Sequence, residues 1–231
     1  MMPNMNALTN SCKAVFFDVG GTLLTPHPSV GALYAHHAAR FGMHIDPQQT
    51  QQAFKQAFAR SKPHRLDCEK EEKAWWIAIV KDTIHQLTPL RQFDAFFESV
   101  WNAFAQADAW RMFDDVIPAL RAGKARGLHI GIVSNWDSRL PVLLRNLKLD
   151  HYIDSLSVSA QLGAAKPDGH IFKHALHQAG CLPREALHIG DLIKEDYYGA
   201  QQAGIVPVLI KRFGMCDSTY TCINSLTKLF G

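Results

Sequence analysis

Short apolar runs, each ending at a polar residue, set the rhythm of this chain. Ala14-Val15-Phe16-Phe17 is a β-favouring run that stops at Asp18 and is followed by Val19-Gly20-Gly21-Thr22. His129-Ile130-Gly131-Ile132-Val133 stops at Ser134-Asn135, and Ala186-Leu187-His188-Ile189 stops at Gly190-Asp191. A less apolar stretch over 154–159 leads to Lys166-Pro167-Asp168, and a fifth run, 206–210, follows Ala203-Gly204-Ile205. Apolar runs of this length bounded by turn residues predict buried strands. The segments between them carry a helical period instead. Val116, Leu120 and Ala125 belong to a helix that closes at Gly127, and further helices are predicted over 138–148 and 168–179, the second closed by Gly180. Strand alternating with helix predicts an α/β fold with a doubly wound, parallel, five-stranded, Rossmann-like sheet.

Residues 26–105 break the alternation. Phe54 and Phe58, then Trp75, Trp76, Ile79 and Val80, then Phe93, Phe96, Phe97, Val100 and Trp101 recur at helical spacing, and no strand-like run interrupts them. The segment is therefore expected to be an all-helical insert with its own aromatic core. The α/β core is then assigned to 12–25 and 106–231. At least one of Trp75 and Trp76 is expected to pack in that insert, and His36-His37 is read as a solvated helix face.

Composition removes several function classes. The 231 residues are 47% hydrophobic and 19% charged, with a net charge of +3 and no basic run or stripe. Nucleic-acid binding would require such a footprint, so none is expected. No apolar run approaches the roughly 18 residues of a membrane helix, and residues 1–10 lack the basic-then-apolar order of a signal peptide. The five cysteines, Cys12, Cys68, Cys181, Cys216 and Cys222, include no C-x-x-C pair and are expected to be reduced thiols in a cytoplasmic protein, Cys68 being inert. The 12 histidines show no metal-ligand spacing.

In an open α/β sheet, ligands bind outside the carboxyl ends of the strands. Asp18, Ser134, Lys166 and Asp191 all fall there. Two carboxylates suit a hard cation such as Mg²⁺, which takes oxygen ligands. A lysine and a serine hydroxyl suit the oxygens of a phosphoryl group, and a carboxylate can attack phosphorus to divide one difficult step into two.

Asp18-Val-Gly-Gly-Thr22-Leu, Ile132-Val-Ser134-Asn135, Lys166-Pro-Asp168 and Gly190-Asp191-x4-Asp196 together resemble the four motifs of the haloacid dehalogenase-like hydrolase superfamily. Their order and spacing match along nearly the whole core, and the helical insert resembles the family's type-1 cap. The resemblance implies a Mg²⁺-dependent phosphohydrolase acting on a small phosphorylated metabolite, with a cap that closes over the site. It implies Asp18 as nucleophile, Lys166 as the residue holding nucleophile and phosphate together, and Ser134 with Asn135 as phosphate ligands. Asp18, the backbone carbonyl of Gly20, Asp191 and Asp196 would hold the metal, and Thr22 would support the loop.

One position departs from the pattern. Family phosphatases usually carry a second Asp two residues after the nucleophile, as general acid and then base, and here that position is Gly20. Dehalogenases and phosphonate hydrolases of the family also lack it. Two other functions therefore stay open: a carbon–halogen hydrolase using Asp18, and a catalytically weak phosphate-binding or interaction protein.

Overall fold

The protein is described as a computed structural model that covers residues 9, 11–61, 69–89 and 91–230, so Cys68 lies outside the described residues. The chain forms two compact units, Thr25–Arg111 and the flanking segments up to Leu24 and from Met112 onward. Strand β1 is Ala14–Phe17 and β2 is Leu24–Pro26. Four helices follow, α1 Val30–Ala39, α2 Pro47–Arg60, α3 Glu69–His85 and α4 Phe93–Ala103, before β3, Trp110–Met112. The second passage of the core runs α5 Val116–Ala125, β4 His129–Ser134, α6 Leu140–Asn146, β5 Ser155–Val158, α7 Ser159–Leu162 and α8 Gly169–Ala179. It continues with β6 Ala186–Gly190, a π-helical turn Ile193–Tyr198, α9 Gly199–Gln202, β7 Val206–Ile210 and β8 Cys222–Ile223.

The main sheet has the order β5-β4-β1-β6-β7-β8, with every pairing parallel. Its central strands are apolar because both faces are covered: every residue of β1 and β6 is buried. Edge strand β5, Ser-Leu-Ser-Val, needs less apolar character, which accounts for its weaker sequence signal. The five expected strands are joined by a sixth, β8, whose two residues are too few to show a period. Strands β2 and β3 form a separate two-stranded ribbon.

The sheet core buries Ala14, Phe16, Val133, Ile171, Phe172 and Ala175 in one cluster. The regular elements described in Thr25–Arg111 are helices apart from the ribbon strands, and the unit has a core of its own, including Tyr34, Val80, Ile84, Phe96, Phe97 and Trp101. Trp76 packs against that cluster, and Trp75 meets Trp76 with ring centroids 4.9 Å apart. His37 departs from the solvated-face reading: it is half-buried, with Nδ1 2.6 Å from Ser99 Oγ. The thiol expectation also needs correction. Parallel pairing of β8 with β7 returns Cys222 towards Cys216, and the two form a disulfide, whereas Cys12 and Cys181 remain thiols.

Candidate active site

The sheet reverses direction of growth at β1: β4 and β5 lie on one side of it, β6 and β7 on the other. The crevice at such a switch point is where an open α/β sheet binds its ligand. Asp18 leaves the end of β1 and Asp191 the end of β6, with the loop held in register by the Asp18 N–H donating to Ile189 O at 2.9 Å. Ser134 ends β4, next to β1.

These positions bring the side chains into direct contact. Ser134 Oγ donates to Asp18 Oδ1 at 2.8 Å, and Lys166 Nζ donates to the same oxygen at 2.7 Å. Lys166 Nζ also donates to Asp196 Oδ1 at 2.6 Å. Asp18, Ser134, Lys166 and Asp196 are all buried, so these contacts operate away from bulk water and are correspondingly stronger. Asn135 acts on the backbone: Nδ2 donates to Lys166 O at 2.9 Å, and Oδ1 accepts from Lys166 N at 2.6 Å. In this arrangement both ends of the Asn135 amide hold the lysine's main chain in place.

Asp196 projects from the π-helical turn, a distortion frequent at functional sites. Its Oδ1 also lies 2.9 Å from His188 Nε2, and its Oδ2 accepts from Leu192 N at 3.0 Å. His188 was missed as a site residue, although a histidine inside an apolar strand is a visible signal. Two glycines make room for the acids. A Cβ on Gly190 would come within 2.1 Å of Asp196 Cγ, and one on Gly21 within 2.4 Å of Asp191 Oδ2. Gly21 also has φ +73°, a conformation that disfavours every other residue.

The charges are strongly interdependent. Burial raises the Asp18 carboxyl above its ordinary range, with Lys166 opposing and Asp196 adding to the rise. Burial disfavours the Lys166 charge, but Asp18 and Asp196 outweigh it and hold the ammonium above its usual value. Burial alone would also raise Asp196, yet Lys166 and His188 reverse this and hold it well below the carboxylate range. Burial lowers His188 despite its hydrogen bond to Asp196. Asp191 is pushed up to about 7, first by burial and then by Asp18 and Asp196.

Asp18, Asp191 and Asp196 each offer an oxygen within 4.8 Å of the others. Asp191 Oδ1 is buried with no hydrogen-bond partner among the described residues. A set of hard oxygen donors with one atom unsatisfied fits a divalent cation, and Asp18 with Asp191 are the members least engaged by protein donors.

Crowding three acids around one lysine should cost stability when no cation is bound. Because the folded carboxyl of Asp191 titrates near 7 rather than at 3.8, its proton stabilises the fold below about pH 4, and that contribution is lost as pH rises through 7. In chelator at neutral pH, Asp191→Asn is expected to melt roughly 3–10 °C above the parent protein, from about 1–3 kcal/mol of relieved charge burial and, second, of relieved repulsion by Asp18 and Asp196. The gap should close towards pH 4, and added divalent cation should raise the melting point of the parent alone. Equal melting points in chelator at neutral pH would contradict the crowding.

A parallel α/β sheet with this cluster of aspartates and one lysine at its switch point is an architecture that hydrolases use. Residues 12–204 match the family model for haloacid dehalogenase-like hydrolase. Haloacid dehalogenase-like hydrolase domain-containing protein 3 of Bos taurus is 32% identical over 204 residues, covering 86% of this chain and 81% of that protein. The HAD phosphatase from Thermococcus onnurineus has a TM-score of 0.68 at 24% identity, covering 94% of this chain and 95% of its own. A defluorinating L-2-haloacid dehalogenase has a TM-score of 0.75 at 18% identity, covering 94% and 93%. The chain belongs to the haloacid dehalogenase-like hydrolases.

Proposed function

We propose that this protein is a Mg²⁺-dependent phosphohydrolase acting on a small phosphate monoester through an aspartyl-phosphate at Asp18. The observation that carries this reading is the buried contact of Asp18 Oδ1 with both Lys166 Nζ and Ser134 Oγ, beside the partnerless oxygen of Asp191. Both donors engage Oδ1, which leaves Oδ2 as the attacking oxygen. Oδ2 forms the bond to phosphorus as the ester oxygen departs with the bonding pair, and that oxygen takes its proton from solvent because position 20 supplies none. Ser134 and Lys166 stay within reach of the phosphoryl oxygens, and Asp196 keeps Lys166 charged and aimed. Water then attacks phosphorus, releasing phosphate and restoring Asp18. Asp18 and Asp191, with the Gly20 carbonyl and Asp196 alongside, would hold Mg²⁺, which would neutralise charge on the phosphoryl group.

Gly20 favours a second reading, a carbon–halogen hydrolase, which needs the same nucleophile but no acid for a halide leaving group. A panel of phosphate monoesters and 2-haloacids, assayed with Mg²⁺ and with chelator, separates the two. Phosphate release that requires Mg²⁺ is expected. Halide release in chelator would replace the phosphatase reading, and Mg²⁺-dependent binding of phosphate mimics without turnover would favour a binding protein.

A further inference from the structure

Past the end of β7, at the same edge of the sheet as Asp18 and Asp191, Arg212, which lies in none of the four motifs, makes a set of contacts that reaches the first of them. Its side chain is only 7% exposed. Nε donates to the carbonyl oxygen of Thr22 at 3.0 Å, Nη2 donates to the same oxygen, and Nη1 donates to Asp115 Oδ2 at 2.7 Å. The guanidinium lies over the Phe113 ring, 4.1 Å from its centroid. Asp115 is itself fixed, its Oδ2 accepting from Ser225 Oγ at 2.9 Å and Leu226 N at 2.8 Å. Those hydrogen bonds and the arginine hold the Asp115 carboxyl below its ordinary value despite burial.

Thr22 closes the turn that begins at Asp18. The N–H groups of Thr22, Leu23 and Leu24 all converge on the Val19 carbonyl, and Gly21 N returns to Leu24 O. The turn is therefore tied internally through its amides and joined to the core by Asp18 N–H donating to Ile189 O and Phe113 N–H donating to Leu23 O, and the Thr22 carbonyl adds a side-chain tie to the segment after β7. We propose that Arg212, anchored by Asp115, is a positioning residue: it fixes the turn from which the Asp18 carboxylate and the Gly20 carbonyl are presented. Its catalytic consequence rests on the phosphohydrolase reading above. The planar fork gives two donors to the Thr22 carbonyl and one to Asp115 in a fixed geometry while stacking on Phe113, a combination that a compact lysine ammonium matches only in part.

Arg126 provides an internal control. It donates through Nη2 to Phe230 O at 2.6 Å and lies over the Phe230 ring at 5.0 Å, the same kind of clamp, but it follows α5 before the start of β4, at the opposite edge of the sheet. Arg212→Met, Arg212→Lys, Asp115→Asn and Arg126→Met should be compared for kcat, KM, melting temperature and backbone hydrogen exchange in peptides spanning 14–24. In Arg212→Met, kcat is expected to fall about 10- to 100-fold, the scale of a small misplacement of the reacting group, with KM changed much less. Exchange in 14–24 should accelerate, Arg212→Lys should recover only part of both effects, and Asp115→Asn should resemble it. Arg126→Met should lower the melting point while leaving kcat and exchange in 14–24 unchanged. A kcat loss no greater than that of Arg126→Met, or unchanged exchange in 14–24, would overturn the proposal. If the parent protein turns over no phosphate ester, the phosphohydrolase reading fails, and the exchange comparison alone then decides whether Arg212 positions the turn. If Arg212→Met does not fold, Arg212→Lys and Asp115→Asn carry the same comparison.

Discussion

Asp18→Asn is expected to abolish turnover of any phosphate ester the protein accepts, a loss of about 10⁴-fold or more, as when a group the reaction passes through is removed. The amide keeps the size of the carboxylate, and its oxygen can still accept from Ser134 and Lys166, whose donors now lie 2.8 and 2.7 Å away. What disappears is the charge that makes the oxygen a nucleophile. The fold should tolerate the change because Lys166 retains Asp196 at 2.6 Å, so the ammonium is not left buried without a counter-charge. Removing one of three neighbouring acids also relieves the crowding that raises Asp191. Steady-state rates at saturating Mg²⁺, together with a melting curve, check both halves. A folded variant with more than about a hundredth of the parent rate would place the chemistry on another residue.

The sequence made the centre of this site legible for a physical reason. Buried strands in a parallel sheet need continuous apolar residues, so the polar residue that ends each run stands out. Asp18, Ser134 and Asp191 were visible in that way, and Lys166 through its place in the third motif. The supporting contacts were not legible, because they depend on distance in space. Asn135 could be placed in a motif, but only the structure shows its amide spent on the Lys166 backbone. Arg212 and Asp115 are 97 residues apart and neither interrupts a periodic pattern. The disulfide depends on β8, two residues among polar neighbours, which gave no strand signal of its own. His188 is the exception, since a polar residue within Ala-Leu-His-Ile asks for a buried partner, and Asp196 is that partner.

Gly20→Asp is expected to raise turnover, and the pattern of the gain matters more than its size. The position follows Asp18 by two residues, and a carboxyl there could protonate the departing oxygen. The backbone permits the change: Gly20, unlike Gly21, does not have a positive φ, so a side chain adds no left-handed strain. Space is the tighter constraint. A Cβ at position 20 would lie 3.4 Å from Trp136 Cζ3, ordinary van der Waals contact, so the new carboxyl must be directed past the indole. Trp136 is itself held, with its N–H donating to Ser159 Oγ at 3.1 Å and its carbonyl accepting from that hydroxyl at 3.1 Å. A well-placed acid is typically worth about 10²–10⁴ in rate; without evolved support the gain should fall below that range. It should be largest for an alkyl phosphate, whose leaving oxygen needs a proton, and small for an activated aryl phosphate, which departs unaided. Trp136→Ala in the same background should widen the difference if the indole restricts the new carboxyl. Measuring one alkyl and one aryl phosphate at fixed Mg²⁺ gives the test. Equal change on both, or none in a folded variant that still binds the cation, would mean that protonation of the leaving group does not limit this enzyme, and would shift weight to halide chemistry or to binding without turnover.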